Sequence, residues 1–304
     1  MVEAFHPGTL AEALAIRGGQ AAIPFAGGTD LMVKLGRGAG ALPGFVAPVL
    51  FLDKCEELRV LRHNEGALEL GSMVSLAALA ESPLVHPVLR EIALSMGGPA
   101  IRNAATLGGN ICNASPAGDT LPFLYAFEAV VKLVSSGSER ALPVADFLTG
   151  PGATRLEPGE ILRSVLVPDW SPRIAFWRKV GTRKANALTK VSIAAFADAA
   201  EARPCRVRIA LGAVAPTVVR LPGVERMLEE ALEEKRAAAS VRAGAGSDAL
   251  LKKIGAVALA SVKPIDDQRS TAKYRREVAA NFVVEFARRA LAGIGNGSGN
   301  RSGR

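Results

Sequence analysis

Two short glycine-pair segments are the residues best suited to chemistry in this sequence: Ala26-Gly27-Gly28-Thr29-Asp30-Leu31 and Thr106-Leu107-Gly108-Gly109-Asn110. Paired glycines let a backbone turn tightly and bring bare N–H groups against a ligand that a Cβ would hold off. Successive N–H groups of this kind form a concave nest for phosphate. The flanking Thr and Asn side chains add hydroxyl and amide groups. Two such loops in one chain suit a diphosphate gripped from both sides. Either loop alone reads as an ordinary turn; their pairing and context favour a ligand.

The elements that must hold these loops are legible around them. Thr9-Leu10-Ala11-Glu12 has capping-box spacing and predicts a short helix ending near Gly18-Gly19. Residues 21–26 read as a strand running into the first loop, and 31–35 as the opening of a helix. The first loop is therefore a strand-to-helix turn, with N–H groups and a helix N-terminus facing any ligand. Residues 45–52 and 67–70 are further strand candidates, and 75–81 and 87–96 look helical. The stretch 97–118 holds five glycines and three asparagines without a long apolar period, which predicts a long functional loop. A buried helix over 121–129 follows. A hairpin of 130–134 and 140–144 then turns at Ser136-Gly137-Ser138, and 161–167 is a strand. Pro168 to Pro172 marks a boundary. Beyond it, strands are expected at 175–180, 191–197 and 206–211, then two or three helices. The last, about 274–291, carries Val278, Phe282, Phe286 and Ala290 on one face. Residues 293–304 are Gly/Ser/Asn-rich and predict a disordered tail.

A chain of 304 residues with 49% hydrophobic and 22% charged content can bury two or three soluble domains. No apolar run reaches the ~20 residues that cross a bilayer. The N-terminus lacks the basic start and apolar core of a signal peptide, which predicts a cytoplasmic protein. Cys55, Cys112 and Cys205 form no CxxC pair or disulfide framework. Cys112, beside the second loop, reads as a small buried thiol. His6, His63 and His86 are too widely spaced for a metal cluster, and no GxSxG nucleophile elbow is present. The net charge of +8 is uneven: residues 1–170 sum to −5 and 171–304 to +13. The basic half has few aromatics for base stacking and no recognition motif, so it reads first as a solvated face or one for an acidic protein partner, with a nucleic-acid surface as the competing reading that the charge alone favours. A Rossmann site needs GxGxxG after the first strand and a P-loop needs GxxxxGK[ST]. Neither is present, so a diphosphate cofactor would be held in some other way.

Six stretches carry a resemblance: FAGGTDL (25–31), IRNAATLGGNICNASPAGD (101–119), GEIL (159–162), RKVGTRKAN (178–186), GAVAPTVVR (212–220) and DDQRSTAKYRR (266–276). In order and spacing they resemble the FAD-binding subunits of the molybdenum hydroxylases, from the first residues to about 291. The family includes the flavin subunit of bacterial xanthine dehydrogenase and the medium subunit of carbon monoxide dehydrogenase. The resemblance implies an α+β fold of the vanillyl-alcohol-oxidase type. Two α+β subdomains, about 1–55 and 56–170, would form a FAD-binding domain over 1–170. A C-terminal α+β domain would span 171–292, with the tail after it.

The resemblance also implies the site. The backbone of Pro24, Phe25, Ala26, Gly27, Gly28, Thr29, Asp30 and Leu31 would hold the diphosphate of a non-covalently bound FAD. Thr106, Leu107, Gly108, Gly109 and Asn110 would hold it from the other side, with Thr29 and Thr106 as hydroxyl donors. Asp119 would accept hydrogen bonds from the adenosine part, although its position also suits a helix cap. Leu162 would lie against the flavin or adenine, and Lys179 would reach a polar cofactor atom or be solvated. Arg102 and Asn103 read as braces of the long loop, and Met96 falls where some relatives place an aromatic. No catalytic or metal-binding residue is implied in this chain, and three scattered cysteines cannot supply an iron–sulfur cluster. The implied function is an oxidoreductase flavoprotein in a hetero-oligomer with a molybdenum-cofactor subunit and a [2Fe-2S] subunit. Electrons would leave its FAD for NAD or another acceptor, with no nucleic acid and no membrane involved. Xanthine or a related purine is the first expectation for the substrate; nicotinate, an aldehyde or carbon monoxide are the alternatives. A self-sufficient flavin oxidase is the competing class.

Overall fold

The computed structural model describes residues 2–38, 41–183, 186–199, 203–237 and 247–293. The tail expected from residue 293 lies, after its first residue, outside them. The chain opens with strand β1 (Ala4–Phe5), helix α1 (Leu10–Gly19), β2 (Ile23–Phe25), α2 (Leu31–Lys34) and β3 (Val49–Phe51). β1 and β2 flank β3 in a small parallel sheet. The capping signal works nearly as read: the Thr9 hydroxyl accepts the Glu12 N–H at 3.2 Å, and the Glu12 carboxylate accepts the Gly8 N–H at 2.8 Å. Both expected strands shorten to three residues. Pro43 and Pro48 have no N–H to offer a ladder, so the segment before Val49 stays irregular.

The second sheet is antiparallel and supplies the floor on which the loops rest. Its strands are β4 (Leu61–Asn64), β5 (Ala67–Gly71), β6 (Val130–Val134), β7 (Glu139–Pro143) and, after a small ribbon, Ile161–Pro168. Between β5 and β6 run α3 (Leu76–Glu81), α4 (Pro87–Ser95), α5 (Pro99–Ala104), α6 (Leu107–Cys112) and α7 (Thr120–Ala126). The ribbon contains α8 (Val144–Phe147), β8 (Leu148–Gly150) and β9 (Ala153–Thr154), which makes Ile161–Pro168 β10. The spatial order is β4-β5-β10-β6-β7. The long loop expected over 97–118 is corrected here, since it contains α5 and α6. Six residues are too few to display an apolar period, but Pro at the start of α5 and Thr106 before α6 are ordinary helix-start residues. α7 is buried along its whole length because it lies between α4 and α6 on one side and the third sheet on the other.

That third sheet is antiparallel: β11 (Ile174–Val180), β12 (Val191–Asp198), β13 (Arg206–Gly212) and β14 (Val219–Arg220). Helices α9 (Pro222–Ala237), α10 (Ser247–Ser261) and α11 (Ala272–Gly293) complete it. The buried line of α11 is Arg275, Ala279, Val283, Phe286, Ala287 and Ala290, while Val278 and Phe282 are only partly covered. Counting apolar residues alone misses the cause, which is a buried arginine. Arg275 donates to Asp267 at 2.6 Å and to the Ala213 carbonyl at 3.4 Å, and this fixes which face turns inward. Burial alone would raise the Asp267 carboxyl; Arg275, the Arg269 amide and the Arg269 guanidinium outweigh it and hold it well below the usual carboxylate range.

Part of the basic excess is internal. Glu128, at the end of α7, accepts from Arg206 at 3.0 Å and Arg208 at 2.9 Å, with Arg220 at 3.7 Å. These contacts fasten the third sheet to the second. Burial pushes the Glu128 carboxyl up, but the three arginines together hold it below its ordinary value.

Candidate functional site

A cleft of about 840 Å³ opens where the three sheets meet, and both glycine loops line it. β2 delivers the first loop to the cleft and α2 carries the chain away. Gly27 is required by contact: a Cβ there would lie 1.8 Å from the Ala104 carbonyl oxygen. Gly28 has φ +68°, and a Cβ there would meet the Phe25 ring at 2.2 Å. Phe25 itself lies behind the cleft, tilted against Phe51 at 4.8 Å. Among the described residues, the N–H groups of Ala26, Gly27, Gly28, Thr29, Asp30 and Leu31 have no acceptor within the chain. Six consecutive open amides ahead of a helix are the kind of donors an anion can use.

The second loop is built differently. Thr106 caps α6, its hydroxyl accepting the Gly109 N–H at 3.0 Å. The Leu107 N–H goes to the Val74 carbonyl at 3.0 Å, that of Gly108 to Ser72 at 2.9 Å and that of Asn110 to Thr106 at 3.0 Å. All four amides are engaged, so the nest read from the sequence is closed here. Its glycines serve internal packing: a Cβ on Gly108 would sit 2.5 Å from Ser72 Cβ, and one on Gly109 would sit 2.9 Å from the Thr106 hydroxyl. What this wall offers a ligand is side-chain chemistry. Thr106 keeps its O–H to donate, and Asn110, whose oxygen accepts from Thr120 at 2.6 Å, keeps its NH₂. Leu107 is fully buried and does not line the cleft.

Asp119, Leu162 and Lys179, which the resemblance singles out one by one, also line the cleft. Asp119 caps nothing: its backbone is already helical and its side chain makes no cap bond. Its carboxylate accepts instead from Lys179 at 2.5 Å and from the Thr189 hydroxyl. Lys179 thus has a protein partner, and the pair ties α7 to the β11–β12 hairpin. Met96 lines the cleft, while Arg102 braces α5 by donating to the Gly97 carbonyl at 2.7 Å. Cys112 is on the cleft wall, its thiol pushed up to about 12 by burial, so it stays protonated.

Several lining residues escaped the sequence reading. Asn113 joins the two loops, donating to Asp30 at 2.9 Å and accepting from Lys34 at 2.5 Å. Thr189 carries no motif; only the hairpin brings it to Asp119. Ser72 sits at the end of β5, 5% exposed, and its hydroxyl has no partner.

Residues 1–170 match the family described as the FAD binding domain in molybdopterin dehydrogenase, and 177–290 match the CO dehydrogenase flavoprotein C-terminal domain. The xanthine dehydrogenase FAD-binding subunit of Escherichia coli O157:H7 is 30% identical over 213 residues, covering 68% of this chain and 71% of that protein. The carbon monoxide dehydrogenase medium chain of Hydrogenophaga pseudoflava is 29% identical over 287 residues, covering 91% and 92%. In structure, the chain superposes with a TM-score of 0.80 and 25% identity on carbon monoxide dehydrogenase from the same organism, in a form lacking the Mo-pyranopterin moiety. That match covers 96% of this chain and 97% of the other.

Proposed function

The chain belongs to the molybdopterin dehydrogenase FAD-binding family, and on that premise we propose that it is the electron-transfer subunit of a multi-subunit molybdenum hydroxylase acting on xanthine or a related purine. The observation that carries the cofactor assignment is a row of six open amides in a loop that lines a cleft of about 840 Å³. That size falls within the range of pockets that enclose a cofactor. FAD, when bound, supplies the redox chemistry; the protein's part is to bind it, orient it and set its surroundings. In this proposal Pro24 and the backbone from Ala26 to Leu31 hold the diphosphate, with the Thr106 hydroxyl and the Asn110 amide opposite. Leu162 gives an apolar contact, and Asp119, held by Lys179 and Thr189, keeps unused lone pairs for donors on the cofactor. The division at about residue 170 belongs to the same proposal and is supported by the separate sheets on either side.

Electrons would arrive from iron–sulfur clusters of one partner subunit and leave for NAD or another acceptor, while hydroxylation would take place on a molybdenum-bearing partner. The purine reading is supported by the Escherichia coli relative and by the 212–220 and 266–276 segments. Two measurements test the proposal. The purified chain should show flavin absorption, and denaturation followed by filtration should release all the colour; flavin retained on the unfolded chain would sink non-covalent binding. The assembled complex should bleach that absorption with xanthine, not with nicotinate, aldehydes or carbon monoxide. Bleaching by carbon monoxide instead would transfer the assignment to the class of the medium chain that aligns over 91% of this sequence. Substrate oxidation by the isolated chain would favour the self-sufficient oxidase.

A further inference from the structure

We propose that Ser72 is a cofactor-binding residue whose hydroxyl donates a hydrogen bond to bound FAD, an inference that rests on the FAD reading above. Its backbone is fixed from two sides: the Ser72 N–H donates to the Arg163 carbonyl at 2.9 Å, and its carbonyl accepts from Gly108 at 2.9 Å. The side chain is therefore presented from a rigid point between β10 and the second loop. It is 5% exposed, lines the cleft and has no hydrogen-bond partner. A buried hydroxyl without a partner is destabilising, and such groups are uncommon enough in native proteins to require a reason. Among the described residues the other orphaned buried side-chain atoms belong to Tyr125, Trp177, Ser192, Asp198, Arg206 and Arg275, none of which lines the cleft.

The neighbourhood supplies no internal solution. Met73, Leu76, Ile161 and Leu162 make this part of the wall apolar. The amides from Leu107 to Asn110, which would otherwise meet a polar cofactor atom here, are engaged within the protein. Side-chain donors remain for a polar atom of FAD against this wall, and Ser72 holds one that is buried and has no competing partner.

The experiment is FAD titration of the full-length apo chain, wild type and Ser72→Ala, with thermal melting of both apo proteins. Loss of one hydrogen bond should raise the FAD dissociation constant roughly three- to tenfold. The apo melting temperature should stay the same or rise, since no protein partner loses a bond. A parallel titration with ADP locates the contact: equal weakening puts it on the diphosphate half, and weakening of FAD alone puts it on the flavin half. An unchanged FAD affinity overturns the proposal. So does a fall in apo stability that accounts for the weaker binding, because the hydroxyl would then be structural. Wild-type chain that takes up no FAD would sink the FAD reading and this proposal together; wild-type binding matched by Ser72→Ala would sink this proposal alone.

Discussion

The two glycine loops are near twins in sequence and opposites in structure. In the first, glycine lets the chain press against Ala104 and Phe25, and the amides from Ala26 to Leu31 stay open. In the second, glycine lets the start of α6 press against Ser72, and every amide from Leu107 to Asn110 is taken by a protein oxygen. A glycine pair signals close approach of a backbone to something. Whether that something is a ligand depends on who accepts the N–H groups, which only the tertiary structure reveals.

The largest expected effect compares the two close approaches directly. Gly27→Ala places a methyl 1.8 Å from a carbonyl oxygen, where backbone must move, whereas Gly109→Ala meets a side-chain hydroxyl at 2.9 Å. The first should cost about 3 kcal/mol or more of apo stability, and the second about 1 kcal/mol, the value of a disturbed cap. Thermal melts of the two apo variants check this. Equal tolerance would mean that the first loop can withdraw from Ala104.

A second, smaller difference lies in the scaffolds. The second loop leans on α7, and α7 in turn packs on α4, whose start is capped by His86, its Nδ1 accepting the Val88 N–H at 3.2 Å. Its ring lies 5.5 Å from that of Phe123 and 5.1 Å from that of Phe127. Burial lowers its pKa to about 4 from an ordinary 6.5. The folded form therefore binds the proton less tightly than the unfolded form. Stability is whole above pH 6.5 and falls as pH drops toward 4, by about 2 kcal/mol after allowance for partial exposure. His86→Asn keeps a capping acceptor but does not titrate, so its melting temperature should decline less over that range. An identical decline would remove His86 as the cause.

How far the sequence was legible follows the same line. The first loop, its strand and its helix were readable because three residues in a row, Gly27-Gly28-Thr29, report a local backbone shape. Asp119, Leu162 and Lys179 could be singled out only through the family resemblance; all three line the cleft, and Lys179 bonds to Asp119. Phe25 and Leu107 sit behind the cleft because neighbours in a strand or helix point to different sides. Asn113, Thr189 and Ser72 were invisible for a plainer reason: each is an isolated polar residue whose place depends on contacts distant in sequence. Of the face expected on α11, Phe286 and Ala290 are fully buried while Val278 and Phe282 pack at the edge of the core, beside a buried arginine that an apolar count leaves out.

The two threonines sharpen the comparison at about 1 kcal/mol. Thr106→Val removes the acceptor of the Gly109 N–H and should lower apo stability by about that amount. Among the described residues the Thr29 side chain has no partner, so Thr29→Val should leave apo melting within about 0.5 kcal/mol and weaken FAD alone. Melting and FAD titration of both variants separate the two cases. A stability loss at Thr29 equal to that at Thr106 would show the loops to be alike after all.

The smallest effect concerns a side chain that touches both sides of the divide, Asn113. Asn113 donates to Asp30 and accepts from Lys34, so it holds the four-residue α2 against the end of α6. Asp30 and Lys34 are exposed and Asn113 is half-buried, so Asn113→Ala should cost only about 0.5 kcal/mol of global stability. Its consequence should be local and one-sided. α2 is too short to persist unsupported, whereas α6 keeps its Thr106 cap and its bonds to Ser72 and Val74. Amide exchange on the apo variant should therefore speed at Met32 and Lys34, whose N–H groups bond to Gly28 and Asp30, and stay unchanged at Gly108 and Asn110. Faster exchange in both segments would mean that the second loop also depends on the bridge. Unchanged exchange in both would mean that the open loop is held by Ala104 and Phe25 alone, and that its order owes nothing to its neighbour's side chain.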